Sequence, residues 1–262
     1  MTGVILYDRE RIKKNRRFAE MLCEALEKRG VSPVVALEEE TDISSLQCDF
    51  IIRRCETFEL SEKAEKAGIR VFNNSLVSRI CNDKWATYER FRDAVPMCET
   101  AEPDEKPPFG FPCVVKSRSG HGGGEVFLAE DEESYKNALK SCPNAVVQPF
   151  LPCGGVDVRV YVLGGRVLKA VKRTAKKGFR SNFSLGGAAE EYFPDETMRT
   201  ASEHIAQTLN ADFVGVDWLL TKNGAVLNEI EDVVGTRMLY FLSLCDAADE
   251  LADYAANTVS KI

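Results

Sequence analysis

The sequence predicts an α+β body preceded by a small α/β domain, and three features indicate this fold class. Over about the first 75 residues, apolar runs of strand length alternate with segments of helical spacing, which is typical of a small open parallel sheet. From residue 113 onward, pairs of strands joined by short turns replace this pattern. Residues 103–112, between the two patterns, contain four prolines and one glycine, as a connection does.

The elements of the first unit, which we place at 1–76, follow from local patterns. Short apolar runs predict strands at 4–7, 33–37, 50–52 and 69–72. A helix after the first strand is expected to end at Gly30, and a short helix precedes Gly68. The unit is expected to be Rossmann-like, but it lacks the GxGxxG fingerprint, so no nicotinamide cofactor is assigned.

The second unit begins with a helix predicted over 75–94, which ends before Pro96. The later elements are a strand pair at 113–116 and 125–129, a helix from Asp131, a strand at 145–150, a hairpin at 158–173 that turns at Gly164-Gly165, a helix with Pro194 in its first turn, and a hairpin at 213–220 and 225–231 that turns at Asn223-Gly224.

Composition excludes several classes of protein. The 262 residues carry a net charge of −7 and contain no apolar run of the roughly 20 residues that cross a bilayer. Charged residues soon after the N-terminus argue against a secretory signal. Nine scattered cysteines without a CxxC pair are expected to be reduced thiols of a cytoplasmic protein. Two histidines are too few for a structural zinc site or a Ser-His-Asp triad, so any metal should be hard and oxygen-bound.

The basic residues are concentrated in one stretch. Between Asp157 and Glu190 there is no acidic residue, but there are eight basic ones: Arg159, Arg166, Lys169, Lys172, Arg173, Lys176, Lys177 and Arg180. This stretch predicts either a cleft for an anionic ligand or a solvated basic hairpin, and composition leaves both open. A nucleic-acid binder would more often be basic overall, so no nucleic-acid partner is expected.

A glycine-rich loop is the first candidate site. Lys116 precedes it, and the loop contains Gly120, His121, Gly122, Gly123 and Gly124. Such a loop lets backbone N–H groups approach phosphate oxygens. It is not a Walker loop, since neither a Lys-Ser/Thr pair nor a helix follows, and a mobile hairpin tip is the alternative.

An acidic hairpin is the second candidate. Glu229 and Glu231 share a face because they are two residues apart. A two-residue Asn-Gly turn would pair Asp217 with Ile230 on the opposite face, whereas a three-residue loop at 222–224 would pair it with Glu229. In the second register three carboxylates would repel one another without a cation, so that register predicts bound Mg²⁺. Solvated carboxylates on an exposed face are the alternative.

The order of these motifs resembles that of the ATP-grasp superfamily, and most closely its RimK-like branch of ribosomal-protein glutamate ligases, over essentially the whole chain. The segments that carry the resemblance are Asn82-Asp83-Lys84, 111–116 with the glycine loop, Gln148-Pro149-Phe150-Leu151, Asp157-Val158-Arg159-Val160, Phe179-Arg180-Ser181-Asn182, Gly215-Val216-Asp217 and Asn228-Glu229-Ile230-Glu231. The resemblance implies that two α+β subdomains, at 77–147 and 148–262, enclose ATP.

The resemblance also implies roles for these residues. The nucleotide would be bound by the glycine loop, by Asp157 and Arg180, by Lys84 and Lys116, and by the hinge Gln148, Pro149, Phe150 and Leu151. Within this hinge, backbone groups of Pro149 and Leu151 would bond the adenine edge. Magnesium ions, two of them by the family pattern and with Mn²⁺ as an alternative, would be held by Asp217, Glu229 and Glu231. The substrate would contact Arg159, Arg173 and Asn182, with Arg173 and Arg180 as the catalytic pair.

The implied activity is an ATP-dependent carboxylate–amine ligase that acts on small-molecule or peptide substrates. An ATP-grasp module that only binds nucleotide and an ATP-grasp phosphotransferase are the alternatives, and homo-oligomerisation is left open. The chain departs from the family pattern at three points: Glu231 stands where the family has Asn, Ser184-Leu185 replaces the branch's usual basic pair, and Asp232-Val233-Val234-Gly235 replaces the usual Pro-Gly. The acceptor site is therefore expected to differ from that of a ribosomal-protein ligase.

Overall fold

The computed structural model describes residues 1–120, 124–176 and 187–261. Its N-terminal part forms a four-stranded parallel sheet in the order β2-β1-β3-β4, which confirms the predicted parallel sheet. The elements are β1 (Thr2–Tyr7), α1 (Arg9–Glu27), β2 (Ser32–Leu37), β3 (Phe50–Arg53), α2 (Glu59–Lys66) and β4 (Arg70–Phe72), with 3₁₀ turns at Glu38–Glu40 and Ile43–Ser45.

Two helices replace the single helix predicted over 75–94. They are α3 (Ser75–Cys81) and α4 (Lys84–Phe91). Asp83 separates them because its side chain accepts hydrogen bonds from the N–H groups of Trp85 and Ala86 and thus caps a new helix. The prediction of one helix was wrong because the apolar periodicity continues across this cap. The break makes Lys84 the first residue of α4.

A three-stranded antiparallel sheet follows in the order β6-β5-β7. Its elements are β5 (Cys113–Ser117), β6 (Val126–Ala129), α5 (Glu132–Ser141) and β7 (Ala145–Pro149). Cys113 and Val115 pack with Tyr135 of α5 in a small core. Because side chains alternate along a strand, Lys116 lies on the opposite face of the sheet.

A five-stranded antiparallel sheet occupies the C-terminal part, in the order β10-β9-β8-β11-β12. Its elements are β8 (Val156–Leu163), β9 (Arg166–Thr174), β10 (Ala188–Glu191), α6 (Glu196–Leu209), β11 (Phe213–Thr221) and β12 (Gly224–Glu231). Gly164 and Gly165 form the predicted turn, both with positive φ. Asp195 caps α6, so Pro194 precedes the cap instead of lying in the first turn.

The last helices, α7 (Arg237–Phe241) and α8 (Ala247–Val259), return the chain to the first sheet. One core cluster joins Ile5 and Leu22 of the N-terminal part to Phe213 and Leu251 of the C-terminal part. The parallel sheet therefore shares its core with the five-stranded sheet, and the division at 1–76, 77–147 and 148–262 stays a prediction. None of the described helices is long and apolar enough to cross a membrane.

Candidate active site

The β11–β12 hairpin places Asp217 directly opposite Glu229. The pairing expected for a metal site is confirmed, but the loop proposed to produce it was wrong. Thr221 pairs with Gly224, so the turn contains only residues 222–223. It is neither the Asn-Gly turn nor the three-residue loop that the sequence suggested.

A β-bulge produces the observed pairing. Trp218 pairs with Leu227, whereas the preceding residue of β11, Asp217, pairs with Glu229. Asn228 is therefore the extra residue of the bulge. Without it, the register of the turn would bring Asn228 opposite Asp217 and would turn both glutamates to the other face.

Three carboxylates meet on the face that the bulge creates. Asp217 is fully buried, Glu229 and Glu231 are half-buried, and one oxygen of each lies within 4.8 Å of the others. Carboxylate oxygens are the ligands that Mg²⁺ and Mn²⁺ prefer, so this donor set fits the hard, oxygen-bound cation expected from the sequence.

Arg159 neutralises two of these carboxylates. Its Nε and Nη2 donate to the two oxygens of Asp217 at 2.7 and 2.6 Å, and Nη2 also donates to Glu231 Oε1 at 2.5 Å. Arg159 lies on β8, directly opposite Asp217 in the sheet register. The two-point geometry holds the Asp217 carboxylate in one orientation.

Arg173 extends the network to a fourth carboxylate. Its Nε and Nη2 each donate to Asp157 at 2.6 Å, and Nη2 donates to Asp217 at 2.8 Å. Two arginines thus compensate the acidic cluster within the protein. Carboxylate repulsion alone therefore does not require a cation, contrary to the argument from the sequence, and the fit of the oxygen donors is the remaining support for a metal.

The network shifts the pKa values of two neighbouring carboxyl groups in opposite directions. Burial would raise the pKa of Asp217, but the charges and hydrogen bonds of Arg159 and Arg173 outweigh it and lower this pKa to about 2. Burial raises the pKa of Glu231, and the attraction of Arg159 offsets this only in part because Asp217 and Glu229 repel a further negative charge. Asp217 is therefore more firmly ionised than Glu231.

Both predicted phosphate lysines lie beside the acidic hairpin. Lys84 Nζ donates to the carbonyl of Gly120 at 2.6 Å and lies 3.7 Å from Glu229 Oε2. Lys116 Nζ donates to Asn228 Oδ1 at 2.7 Å, and burial lowers its pKa. The bulge residue Asn228 therefore contacts the lysine that precedes the glycine loop.

The basic stretch divides between two environments. Arg159 and Arg173 point into the buried network, whereas Lys169 and Lys172 pair on the outside with Glu191 and Glu190 of β10. The exposed interpretation holds for Lys169 and Lys172, and the cleft for an anionic ligand stays a prediction. The inward arginines of the stretch are committed to carboxylates of the protein, so a substrate role for Arg159 and Arg173 stays a prediction.

The predicted adenine hinge lies at the end of β7. Gln148 is buried, and its Nε2 donates to Thr100 Oγ1 at 2.9 Å. The N–H of Phe150 donates to Pro112 O, and the carbonyl of Leu151 accepts from Cys153 N–H. These contacts fix the course of the segment, and adenine binding by Pro149 and Leu151 stays a prediction.

Several predicted site residues lie outside the described part of the chain: His121, Gly122, Gly123, Arg180 and Asn182.

One site residue was missed by the sequence reasoning. Asn228 interrupts the alternation of β12 with a polar residue directly before Glu229, and this interruption is the signal that could have revealed the bulge.

Comparison with known families now decides the assignment. Residues 88–255 match the RimK-like ATP-grasp domain. The chain belongs to the RimK-like ATP-grasp family. The uncharacterized protein MG011 homolog of Mycoplasma pneumoniae is 32% identical over 244 residues, which cover 90% of this chain and 86% of the relative.

Two further curated relatives carry functional names. The probable alpha-L-glutamate ligase 2 of Shewanella denitrificans is 32% identical over 158 residues, 57% of this chain and 52% of that protein. Human N-acetylaspartylglutamate synthase A is 32% identical over 211 residues, 72% of this chain and 53% of that protein. The chain spans about half the length of these two relatives.

Solved structures confirm the ATP-grasp fold. The RimK domain ATP-grasp protein of Sphaerobacter thermophilus has a TM-score of 0.78 at 22% identity, with 97% of this chain and 99% of that chain covered. The D-alanine–D-alanine ligase of Bacillus anthracis has a TM-score of 0.78 at 18% identity, with 99% and 97% covered. ATP-grasp ligases in general use ATP and Mg²⁺.

Proposed function

We propose that this protein is an ATP- and Mg²⁺-dependent ligase that activates a carboxylate as an acyl phosphate and joins it to an amine. The observation that carries the proposal is the convergence of two lysines and three carboxylates around the bulge of one hairpin: Lys84, Lys116, Asp217, Glu229 and Glu231. Phosphoryl transfer depends mainly on such positioning and charge neutralisation. Membership of a family that contains ligases supports the same reaction class.

The residues of the site have separate tasks in this reaction. Lys84 and Lys116 exchange their present acceptors, the Gly120 carbonyl and the Asn228 amide, for phosphate oxygens of ATP. Asp217, Glu229 and Glu231 would hold Mg²⁺, which would add charge neutralisation at the transferring phosphoryl group. Arg159 keeps the carboxylates oriented by its two-point contact with Asp217. These tasks require no change in the register of the hairpin.

The proposed chemistry has two displacement steps. A substrate carboxylate oxygen bonds to the γ-phosphorus, and the bond to the oxygen that bridges the β- and γ-phosphates breaks, which releases ADP. The amine then bonds to the acyl carbon, loses a proton, and inorganic phosphate leaves. We place Arg180 near the transferred phosphate and Arg173 near the substrate carboxylate, which requires Arg173 to release part of its contact with Asp157 or Asp217.

A substrate panel tests this proposal. The protein is incubated with ATP, Mg²⁺ and single carboxylic acids. L-Glutamate is the first amine, because one relative is named a probable alpha-L-glutamate ligase and another a synthase of N-acetylaspartylglutamate. We expect ADP formation to rise above that of a blank with L-glutamate alone only when the substrate acid is present, and hydroxylamine supplied in place of L-glutamate to trap the activated acid as a hydroxamate. ATP binding without ADP release across the panel would indicate a binding module. ADP without inorganic phosphate in the presence of an alcohol would indicate a phosphotransferase.

Two substitutions in the acidic hairpin sharpen the assignment. Glu229→Gln is expected to reduce turnover by about 100-fold or more, because it removes a negative metal ligand opposite Asp217. Glu231→Asn restores the residue that the family pattern has and is expected to leave most of the turnover intact. Both rates are measured as ADP release at saturating ATP and Mg²⁺. A complete loss in Glu231→Asn would contradict the assignment of Glu231 as an exchangeable ligand.

A further inference from the structure

Residues from the N-terminal part of the chain hold the open end of the acidic hairpin. Asp232 follows Glu231 directly, and its side chain is completely buried. Its carboxylate pairs with Arg53 at the end of β3, whose side chain is also completely buried. It accepts further hydrogen bonds from Ser78 Oγ of α3 at 2.7 Å and from Asn73 Nδ2 at 2.9 Å. The contacts of this carboxylate therefore come from residues 53–78.

Asn73 ties both strands of the hairpin at this end. Its Oδ1 accepts from the N–H groups of Asp212 and Phe213, each at 2.8 Å, where β11 begins. Its Nδ2 donates to the carbonyl of Phe213 at 2.8 Å and to that of Asp232 at 3.0 Å, just beyond β12. One buried amide thus fixes the entry of β11 relative to the exit of β12.

We propose that Arg53, Asn73 and Ser78 are positioning residues of the metal set, and that they act through Asp232. Glu231 is one peptide unit from Asp232, so a fixed Asp232 fixes the backbone from which the Glu231 carboxylate reaches Arg159. The parallel sheet is then a structural part of the metal centre and more than a neighbouring unit. This inference rests on the metal set of the proposed function.

The chemistry of the contact with Asp232 supports a positioning role more than a role in holding the two parts of the chain together. The two parts of the chain already share a large apolar core, which holds them together without directional bonds. A buried ion pair adds little stability because both charges must be desolvated, but its hydrogen bonds specify one geometry. In this chain that specificity applies to the residue next to a metal ligand.

The test uses the full-length protein and measures Mn²⁺ binding directly by electron paramagnetic resonance, with a non-hydrolysable ATP analogue present. Ser78→Ala removes one hydrogen bond to Asp232 and leaves the ion pair with Arg53. We expect the dissociation constant for Mn²⁺ to rise roughly threefold or more, a fraction of the effect of one hydrogen bond to a charged group. The Mn²⁺ spectrum of the bound ion is expected to broaden, because Glu231 is held less firmly.

Ser61→Ala is the matched control. Ser61 lies on α2 of the same N-terminal part, is 1% exposed, and its hydroxyl has no partner among the described residues. The chemical change is identical, but no contact with Asp232 is lost. We expect wild-type affinity for Mn²⁺ in this variant, and an equal loss of affinity in both serine variants would contradict the proposal.

A second variant removes the whole ion pair between Arg53 and Asp232. Replacement of either Arg53 or Asp232 alone leaves a buried charge unpaired, so the double variant Arg53→Gln/Asp232→Asn removes both charges together. We expect a dissociation constant for Mn²⁺ at least tenfold above that of the wild type, in protein that still unfolds cooperatively. Wild-type affinity in both this variant and Ser78→Ala overturns the positioning role and leaves the metal set intact. Absence of Mn²⁺ binding by the wild type overturns the metal set, and the positioning role with it.

Discussion

Two aspartates of the same strand region are equally buried, but their pKa values are shifted in opposite directions. Asp212, just before β11, is 1% exposed, and Asp217, within β11, is 0% exposed. Burial raises the pKa of both groups. For Asp212 the opposing effects of Arg70 and Tyr254 are too weak, and its pKa rises to about 6, whereas the two arginines around Asp217 bring its pKa to about 2.

The partners explain the difference. Both oxygens of Asp217 accept from guanidinium groups that are themselves almost completely buried. In Asp212 a single oxygen, Oδ1, accepts from Arg70 and Tyr254, and the other oxygen has no hydrogen-bond partner among the described residues. Buried partners that bind both oxygens thus keep the pKa of a buried carboxylate low, as at Asp217, whereas partners on one oxygen leave the effect of burial dominant, as at Asp212.

Replacement of one arginine partner of each aspartate is expected to give the largest change in the free energy of unfolding. Arg159→Met leaves Asp217 with one partner and Glu231 without its arginine, so we expect a loss of about 3 kcal/mol in the free energy of unfolding at pH 7. Arg70→Met, the matched substitution, is expected to cost only about 1 kcal/mol, because Asp212 can take up a proton instead. Urea titrations without divalent ions measure both.

The difference between the two losses in the free energy of unfolding is the decisive quantity. Similar losses in Arg159→Met and Arg70→Met would show that burial, and not pairing, determines the cost of each site. A smaller loss for Arg159→Met would show that Arg173 alone is sufficient to keep Asp217 ionised.

The pH dependence of stability gives a second, smaller effect. An aspartate whose pKa is about 3.9 in the unfolded chain and about 6 in the fold binds a proton more tightly when folded. Stability from Asp212 is therefore present at low pH and is lost as the pH rises from about 4 to about 6, which amounts to roughly 2–3 kcal/mol. Asp217 has the opposite sign: its contribution is present above about pH 4 and is lost as the pH falls toward 2.

Asp212→Asn tests this sign. Relative to the wild type, the variant is expected to gain roughly 2–3 kcal/mol in the free energy of unfolding between pH 4 and pH 8. Because the gain is a difference between the free energies of unfolding at pH 4 and pH 8, any effect of the amide that does not depend on pH cancels. Parallel pH profiles for the two proteins would mean that Asp212 is ionised throughout and that Arg70 is a stronger partner than its exposure indicates.

The same strand shows what the sequence could predict. The spacing of Glu229 and Glu231 was sufficient to predict a hairpin with these two carboxylates on one face, and Asp217 joined them in one of the two registers considered. The turn was not predictable, because Asn223-Gly224 favours a different turn from the one observed and only the bulge at Asn228 restores the pairing. Local turn preference gave way here to the register of the whole sheet.

The long-range ion pairs could not be predicted from the sequence, for a similar reason. The spacing of the basic stretch does not reveal that Arg159 and Arg173 bind Asp217, because those contacts depend on how β8, β9 and β11 lie side by side. Asp83 as a helix cap was visible in principle, since Asp is a preferred N-cap residue. The fold class, the parallel sheet and the antiparallel hairpins depend on local periodicity, and these were predicted correctly.

Tyr254→Phe is expected to produce the smallest effect and isolates one hydrogen bond to Asp212. The hydroxyl donates to Asp212 Oδ1 at 2.9 Å, and the ring contacts Phe72, a contact that phenylalanine retains. Because this bond favours the ionised form, its loss should raise the pKa of Asp212 further above 6 and cost about 1 kcal/mol at pH 8 but less at pH 4. Carboxyl ¹³C NMR of Asp212 measures the shift. An unchanged titration midpoint would show that Arg70 alone opposes the effect of burial on the pKa of Asp212. The contrast with Asp217 would then be one guanidinium against two.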